Sequence, residues 1–292
     1  MIKNLISLEK ISIYQFSELL DLTLEIKEKP HRYKNSLSGC TVAGIFQNPY
    51  FLTQVCFQVA VTSLKGQPLI MKNTHIQTQS QNLSEIACQC LDQWMDGIFI
   101  ETKNHGHIIE LDKFLTIPVA NAHSEIHSPC QAIADFLTIK ENHRDLTSIK
   151  LALIGNQKNI GHSLLLASSL SGASIHIASP KEKQPDPQVL EAAEVNGKQT
   201  GFQYEISEEP QKAISNADII YYSYPNQNPS LFNSILMNSK QDALFMTSMF
   251  PEEWKENRIQ NIPSKRRLFF RQADNRLHIL KAIMVSLIRK KK

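Results

Sequence analysis

Hydrophobic positions along the first part of the chain follow two different periods. Ile13, Phe16, Leu20 and Leu24, with Leu19 beside them, recur every three or four residues, which predicts an amphipathic helix that ends before Pro30. Thr41-Val42-Ala43-Gly44-Ile45-Phe46 is a short apolar run instead, the pattern of a strand buried on both faces. Asn48-Pro49 then predicts a helix start, with Phe51, Val55 and Val59 on one stripe up to Gly66. The alternation continues with a strand over 68–71, a helix over 84–95, strands at Gly97-Ile98-Phe99-Ile100 and Ile117-Pro118-Val119-Ala120, and a helix over 129–141. After the polar stretch Asn142-His143-Arg144-Asp145 the pattern restarts at Lys150-Leu151-Ala152-Leu153-Ile154-Gly155. Strands over 174–178, 219–222 and 243–246 follow, and a last helix over 275–289 carries Leu277, Leu280, Ile283, Met284 and Leu287 in register. Repeated strand and helix alternation predicts an α/β protein of two domains, each a mainly parallel sheet flanked by helices. The expected domains are 1–145 and 146–274, with the terminal helix, 275–292, packing back on the first.

The bulk properties narrow the function classes. The chain has 292 residues, 42% of them hydrophobic and 20% charged, which suits two cores. The net charge of +3 is smaller than the four cations of the terminal Arg289-Lys290-Lys291-Lys292, so the rest is slightly acidic and offers no broad field for nucleic acid. Five cysteines without CxxC spacing point to reduced thiols and a cytoplasmic location. No stretch approaches the roughly 18 apolar residues of a membrane span, and the N-terminus has no sustained apolar run, so neither membrane insertion nor secretion is expected.

Candidate chemistry is first a matter of elimination. Gly155 and Gly161 stand too far apart for a dinucleotide loop, and Ile177-Ala178-Ser179-Pro180-Lys181 offers no acid for a ribose, so no nicotinamide cofactor is expected. His123-Ser124-Glu125-Ile126-His127 would align metal ligands on an extended segment, but no matching ligand pair stands elsewhere and no metal is expected. Cys88 and Cys90 lie two apart on a predicted helix and do not face each other.

Three further segments carry a specific likeness. They are His127-Ser128-Pro129-Cys130-Gln131-Ala132-Ile133-Ala134-Asp135, the turn from Gly155 through Asn159-Ile160-Gly161-His162-Ser163, and Asp274-Asn275-Arg276-Leu277-His278 with Lys281-Ala282-Ile283. In this order they resemble the ornithine and aspartate carbamoyltransferases, with the ornithine branch the nearer. The resemblance implies a first domain that holds carbamoyl phosphate, a second that holds an amino acid, a trimer, and no cofactor. It places Thr53 and Gln131 among ligand-binding residues, and Asn159 and Arg276 on the amino-acid side. Each also has a purely structural reading, as helix-start, turn or ion-pair residues.

The same likeness exposes departures. The family's phosphate loop, Ser-Thr-Arg-Thr-Arg after a proline, falls on Tyr50-Phe51-Leu52-Thr53-Gln54, which sets Leu52 where a cation is expected. Its second phosphate arginine falls on Glu101, its histidine on Ser128, and its cysteine beside the amino acid on Ser248. The expectation is a diverged relative, silent or strongly altered in catalysis, that acts as a binding or regulatory subunit in a homotrimer or heterotrimer and takes a small amino-acid ligand. The alternatives are an enzyme retuned to a less anionic ligand, with Tyr50, Phe51 and Leu52 as an apolar floor, and an active carbamoyltransferase.

Overall fold

The computed structural model describes residues 2–47, 51–72, 85–155, 158–223, 229–248 and 261–288. The chain divides into two compact units, residues 1–133 with 276–292, and residues 134–275.

The first unit opens with α1 (Ile13–Glu28), where Phe16, Leu19, Leu20, Thr23 and Ile26 form the buried face. Its start is fixed by a capping box: Ser12 accepts from the Gln15 backbone N–H, and the Gln15 side chain accepts from the Ser12 N–H. A short turn of helix, α2 (Pro30–Tyr33), follows. The sheet then builds from β1 (Thr41–Phe46), β2 (Gln67–Lys72), β3 (Gly97–Glu101) and β4 (Val119–His123), in the order β2-β1-β3-β4 with every pairing parallel. Between the strands run α3 (Phe51–Ser63), α4 (Glu85–Trp94) and α5 (His105–Phe114). Ala43, Ile45, Ile98, Ile100 and Val119 from the sheet pack on Cys88, Met95, Ile108 and Leu111, all buried. Each large side chain buried in this way contributes about 1.5–3 kcal/mol.

The last strand of this sheet starts two residues later than its apolar pattern predicts. Pro118 has no N–H to give to a ladder, and its carbonyl accepts from Ile98 N–H just before β4 begins. The predicted helix start at Asn48-Pro49 lies outside the described residues. Next comes α6 (Pro129–Asn142), whose first residues, up to Ile133, belong to the first unit.

The second unit holds β5 (Lys150–Ile154), β6 (Ser174–Ala178), β7 (Tyr204–Ser207), β8 (Ile219–Tyr222) and β9 (Leu244–Met246), ordered β7-β6-β5-β8-β9 and again wholly parallel. Around them lie α7 (Ile160–Ser171), α8 (Pro187–Thr200), α9 (Pro210–Ile214) and α10 (Pro229–Asn238). Helix α7 is buried from Ile160 to Leu170 and ends on Gly172, whose φ of 81° is open to glycine but strained for other residues. A Cβ there would stand 2.9 Å from the Thr200 carbonyl oxygen. The terminal helix, α11 (Phe269–Leu287), begins six residues before its predicted start, because Phe269 and Gln272 are already buried in its first turn. Its residues from Arg276 onward belong to the first unit. Among the described residues no helix is long and apolar enough to cross a membrane.

A buried polar knot ties the second unit together. Asp135 accepts from Tyr221 Oη at 2.9 Å and from Gln272 Nε2 at 2.8 Å, and Gln272 also bonds both the N–H and the carbonyl of Thr247. Tyr221→Phe keeps the volume but removes a donor from a carboxyl that is 0% exposed. Urea denaturation should show a loss of about 1–3 kcal/mol, and an unchanged midpoint would mean that the remaining donors suffice.

Candidate functional site

Parallel pairing brings the C-terminal ends of β1, β3 and β4 to one edge of the first sheet, where open α/β sheets generally bind ligands. Glu101, the last residue of β3, pairs in register with Phe46 of β1 and with His123 of β4, across a register shift that falls between Ile100 and Glu101. The shift turns a strand end toward this edge. Glu101 is only 7% exposed, and burial pushes its carboxyl up to about 7 against the opposing pull of the Arg276 guanidinium. His123 moves the other way. Burial, helped by the Arg276 charge, pulls its imidazole down to about 4, so it is neutral at physiological pH.

The loop between β4 and α6 is shaped by one buried amide. Asn121 Nδ2 donates to the Ile6 carbonyl at 2.9 Å, with the His127 carbonyl at 3.3 Å and Ser124 Oγ at 3.4 Å. Ser124 Oγ accepts from His127 N–H at 3.0 Å, and the Ser124 N–H donates to the His127 carbonyl at 2.9 Å. This closed turn presents Ser128 at the start of α6, where its carbonyl accepts from Ala132 N–H. Ser128 Oγ lies 3.4 Å from His123 Nδ1, and Gln131 is buried one turn into the helix.

The remaining residues of this edge come from helices. Thr53, in the first turn of α3, is 2% exposed, and its Oγ1 makes no hydrogen bond with any described residue. Leu52 and Phe51 point outward, 48% and 64% exposed in this chain, rather than forming a closed apolar floor; Tyr50 lies outside the described residues. Cys56 follows Thr53 by three residues on α3 and feels the charges of Arg276 and Lys281, which temper the rise that burial gives its thiol. The wholly buried Cys130 thiol is pushed up to about 12 and donates to the Asn121 carbonyl.

Of the residues the sequence singled out, Thr53, Glu101, Ser128, Gln131 and Arg276 fall in the first unit, while Asn159 and Ser248 fall in the second. Asn159 has a φ of 60° and caps α7, its carbonyl accepting from Ser163 N–H. Ser248 is half-buried just after β9, and the segments on either side of this site that were aligned with amino-acid binding, 224–228 and 249–250, lie outside the described residues. His123 is the residue that sequence reasoning missed as a member of this edge, having weighed it only as a metal ligand. Its former companions have other partners: His127 Nε2 stands 3.7 Å from Glu9, and Glu125 accepts from His105 N–H. The available signal was a histidine two residues after the buried strand position Asn121.

Comparison with known proteins fits this geometry. Residues 3–141 match the carbamoyl-P binding domain of aspartate/ornithine carbamoyltransferase, and residues 147–225 match its Asp/Orn binding domain. The chain belongs to the aspartate/ornithine carbamoyltransferase family. It is 32% identical to the ornithine carbamoyltransferase of Anoxybacillus flavithermus, over 98% of this chain and 96% of the relative. Among solved structures, the ornithine carbamoyltransferase from Pyrococcus furiosus aligns with a TM-score of 0.88 at 27% identity, covering 99% of this chain and 98% of that one. The enzyme from Gloeobacter violaceus aligns at 0.85 and 28% identity, covering 99% of each. The family's two parallel sheets flanked by helices are the fold observed here.

Glu101 and His123 each contribute to the pH dependence of stability. Glu101 holds its proton more tightly when folded, so it stabilises fully below its unfolded value near 4.5, and that contribution is lost as pH rises to 7. His123 binds its proton less tightly when folded, so stability falls as pH drops from 6.5 towards 4. Each window spans about 3 kcal/mol. Glu101→Gln should therefore be more stable than the parent at pH 8 and lose that advantage by pH 4.5. Urea midpoints measured across pH would refute the assignment if the two proteins ran parallel.

Proposed function

We propose that this chain is a diverged carbamoyltransferase relative that does not transfer a carbamoyl group at rates typical of the family, and that it serves as a binding or regulatory subunit. The observation that supports this reading is the buried Glu101 carboxyl at the sheet edge, at the position where the resemblance calls for a phosphate-binding arginine. Carbamoyl phosphate is a dianion, and its transfer builds charge on an oxygen and on the leaving phosphate. Both need convergent donors. Charge-assisted hydrogen bonds contribute about 1.5–3 kcal/mol each, so losing two arginines and a histidine removes roughly 5 kcal/mol or more, several thousandfold in binding. Above pH 7 the ionised Glu101 adds repulsion. Below that it is protonated and repels less, but it still offers no cation.

A second reading keeps the family reaction, carbamoyl phosphate and ornithine to citrulline and phosphate. The 32% identity to the Anoxybacillus flavithermus enzyme along nearly the whole chain favours it. In both readings the proposed assembly is a homotrimer, or a heterotrimer with a related subunit, in the cytoplasm, and the proposed ligand is a small amino acid. Native mass spectrometry should give three times 33.2 kDa for a homotrimer, and a strict monomer at micromolar concentration would rule the assembly out.

The deciding experiment is a citrulline assay on purified protein, with carbamoyl phosphate and ornithine at millimolar levels. No turnover is expected, and clear citrulline formation would end the silent-subunit reading. Leu52→Arg, Glu101→Arg and Ser128→His together should restore carbamoyl phosphate binding, seen as a saturable rise in melting temperature that the parent lacks. Turnover should remain low, because positioning the amine for attack is a separate requirement from charge. If the triple variant binds no better than the parent, the phosphate position has been misplaced.

A further inference from the structure

Three side chains at one end of the second sheet form a line of contacts apart from the residues aligned with ligand binding. Strand β7 is the end strand, and its parallel pairing with β6 sets His176 opposite Glu205 and Ala178 opposite Ser207. Residues two apart on a strand share a face, so Glu205 and Ser207 flank the His176 ring from the neighbouring strand. His176 Nε2 lies 2.9 Å from Ser207 Oγ, and His176 Nδ1 lies 3.7 Å from Glu205 Oε2. Glu205 Oε1 is held in turn by the Lys212 ammonium of α9 at 2.5 Å.

The order of these contacts assigns the roles. A carboxylate facing Nδ1 favours the tautomer that carries its proton there, which leaves Nε2 to accept from the serine hydroxyl. Among the described residues Ser207 Oγ has one other acceptor, the Glu209 carbonyl at 3.4 Å, and the imidazole at 2.9 Å is the shorter contact. Burial lowers the pKa of His176 against the pull of Glu205, so the ring is neutral at physiological pH and can take a proton. The side chain of His176 is 17% exposed and that of Glu205 51%, which leaves the cluster open to a small reagent from solvent.

We propose that Ser207 is a nucleophile activated by His176, and that this sheet end takes an acyl group from small activated esters. A hydroxyl beside a base that is itself oriented by a carboxylate is the arrangement that makes serine, weak alone, an attacking group. Ser207 Oγ bonds to the acyl carbon as its proton passes to His176 Nε2. The bond from that carbon to the leaving alkoxide breaks, and His176 returns the proton to the departing alcohol. Acyl-Ser207 and a neutral imidazole remain. Glu205 is a positioning residue that acts through the ring, and Lys212 fixes Glu205.

The test is labelling of the full chain with a small alkyl fluorophosphonate, followed by intact mass and peptide mapping. In that reaction Ser207 Oγ bonds to phosphorus, fluoride leaves, and the serine proton departs through His176. One label per chain on Ser207 is expected, with p-nitrophenyl acetate acetylating the same residue and Ser207→Ala taking no label there. His176→Ala and His176→Asn, each with a melting transition showing that it is folded, should slow labelling about a hundredfold or more. The charged groups that act on the ring are Glu205 on β7, which raises its pKa, and Lys212 on α9, which lowers it. Glu205→Gln should therefore slow labelling and move its acid limb to lower pH, whereas a purely structural role would leave that limb in place. Failure to label Ser207, a folded chain that reacts no faster than the urea-unfolded one, or His176 variants that label at the parent's rate would overturn the proposal. The citrulline assay reports on different residues, since this cluster falls in the second unit and includes none of the substituted positions.

Discussion

Parallel pairing leaves the strand ends of the first sheet no choice of side. Because β1, β3 and β4 run the same way, whatever residue closes each strand is delivered to one edge, where Phe46 and Glu101 are buried and His123 is half-buried. A charged residue in that position loses its water whether or not it finds a partner. Glu101 and His123 are neighbours for this reason, and their opposite shifts express one cause, the expense of keeping charge where water is excluded. Arg276 then acts on both with one sign, opposing the shift of the acid and deepening that of the base.

This constraint also separates what the fold requires from what the family's chemistry requires. A TM-score of 0.88 to a solved ornithine carbamoyltransferase reports backbone geometry, and in this chain that geometry is held by buried apolar residues such as Ile98, Ile100 and Val119. The chemistry of the family depends on which side chains stand at the strand ends and helix starts. The fold tolerates a glutamate, a leucine or a serine there, because those positions bear on ligands more than on packing.

Much of the architecture was legible because buried parallel strands read as unbroken apolar runs and the helices between them as stripes. Thr41 to Phe46 and Lys150 to Ile154 fall within one residue of their predicted spans. The short strand Tyr204–Ser207 was not foreseen, since its residues are only half-buried and carry no apolar run. The early start of α11 was missed because Leu268-Phe269-Phe270 reads equally well as a strand. At the candidate site the sequence identified substituted positions but not their environment. That Glu101 is desolvated, and that His123 comes within reach of Ser128, depends on strand register and on a bulge, and neither leaves a mark in local periodicity.

The amide of Asn121 has a consequence for which changes this lineage can accept. Its Nδ2 faces two backbone carbonyls and a hydroxyl, while its Oδ1 makes no hydrogen bond with any described residue. A single base change in its codon turns it into aspartate, nearly the same in shape but with oxygen in place of the donor nitrogen. The loop that aims α6 would then be held by repulsion at the points where it is now held by attraction. Sequence drift can reach that neighbour in one step, yet it should be closed to any descendant that keeps this loop, so the scaffold stays narrow in its permitted mutations even at a polar position.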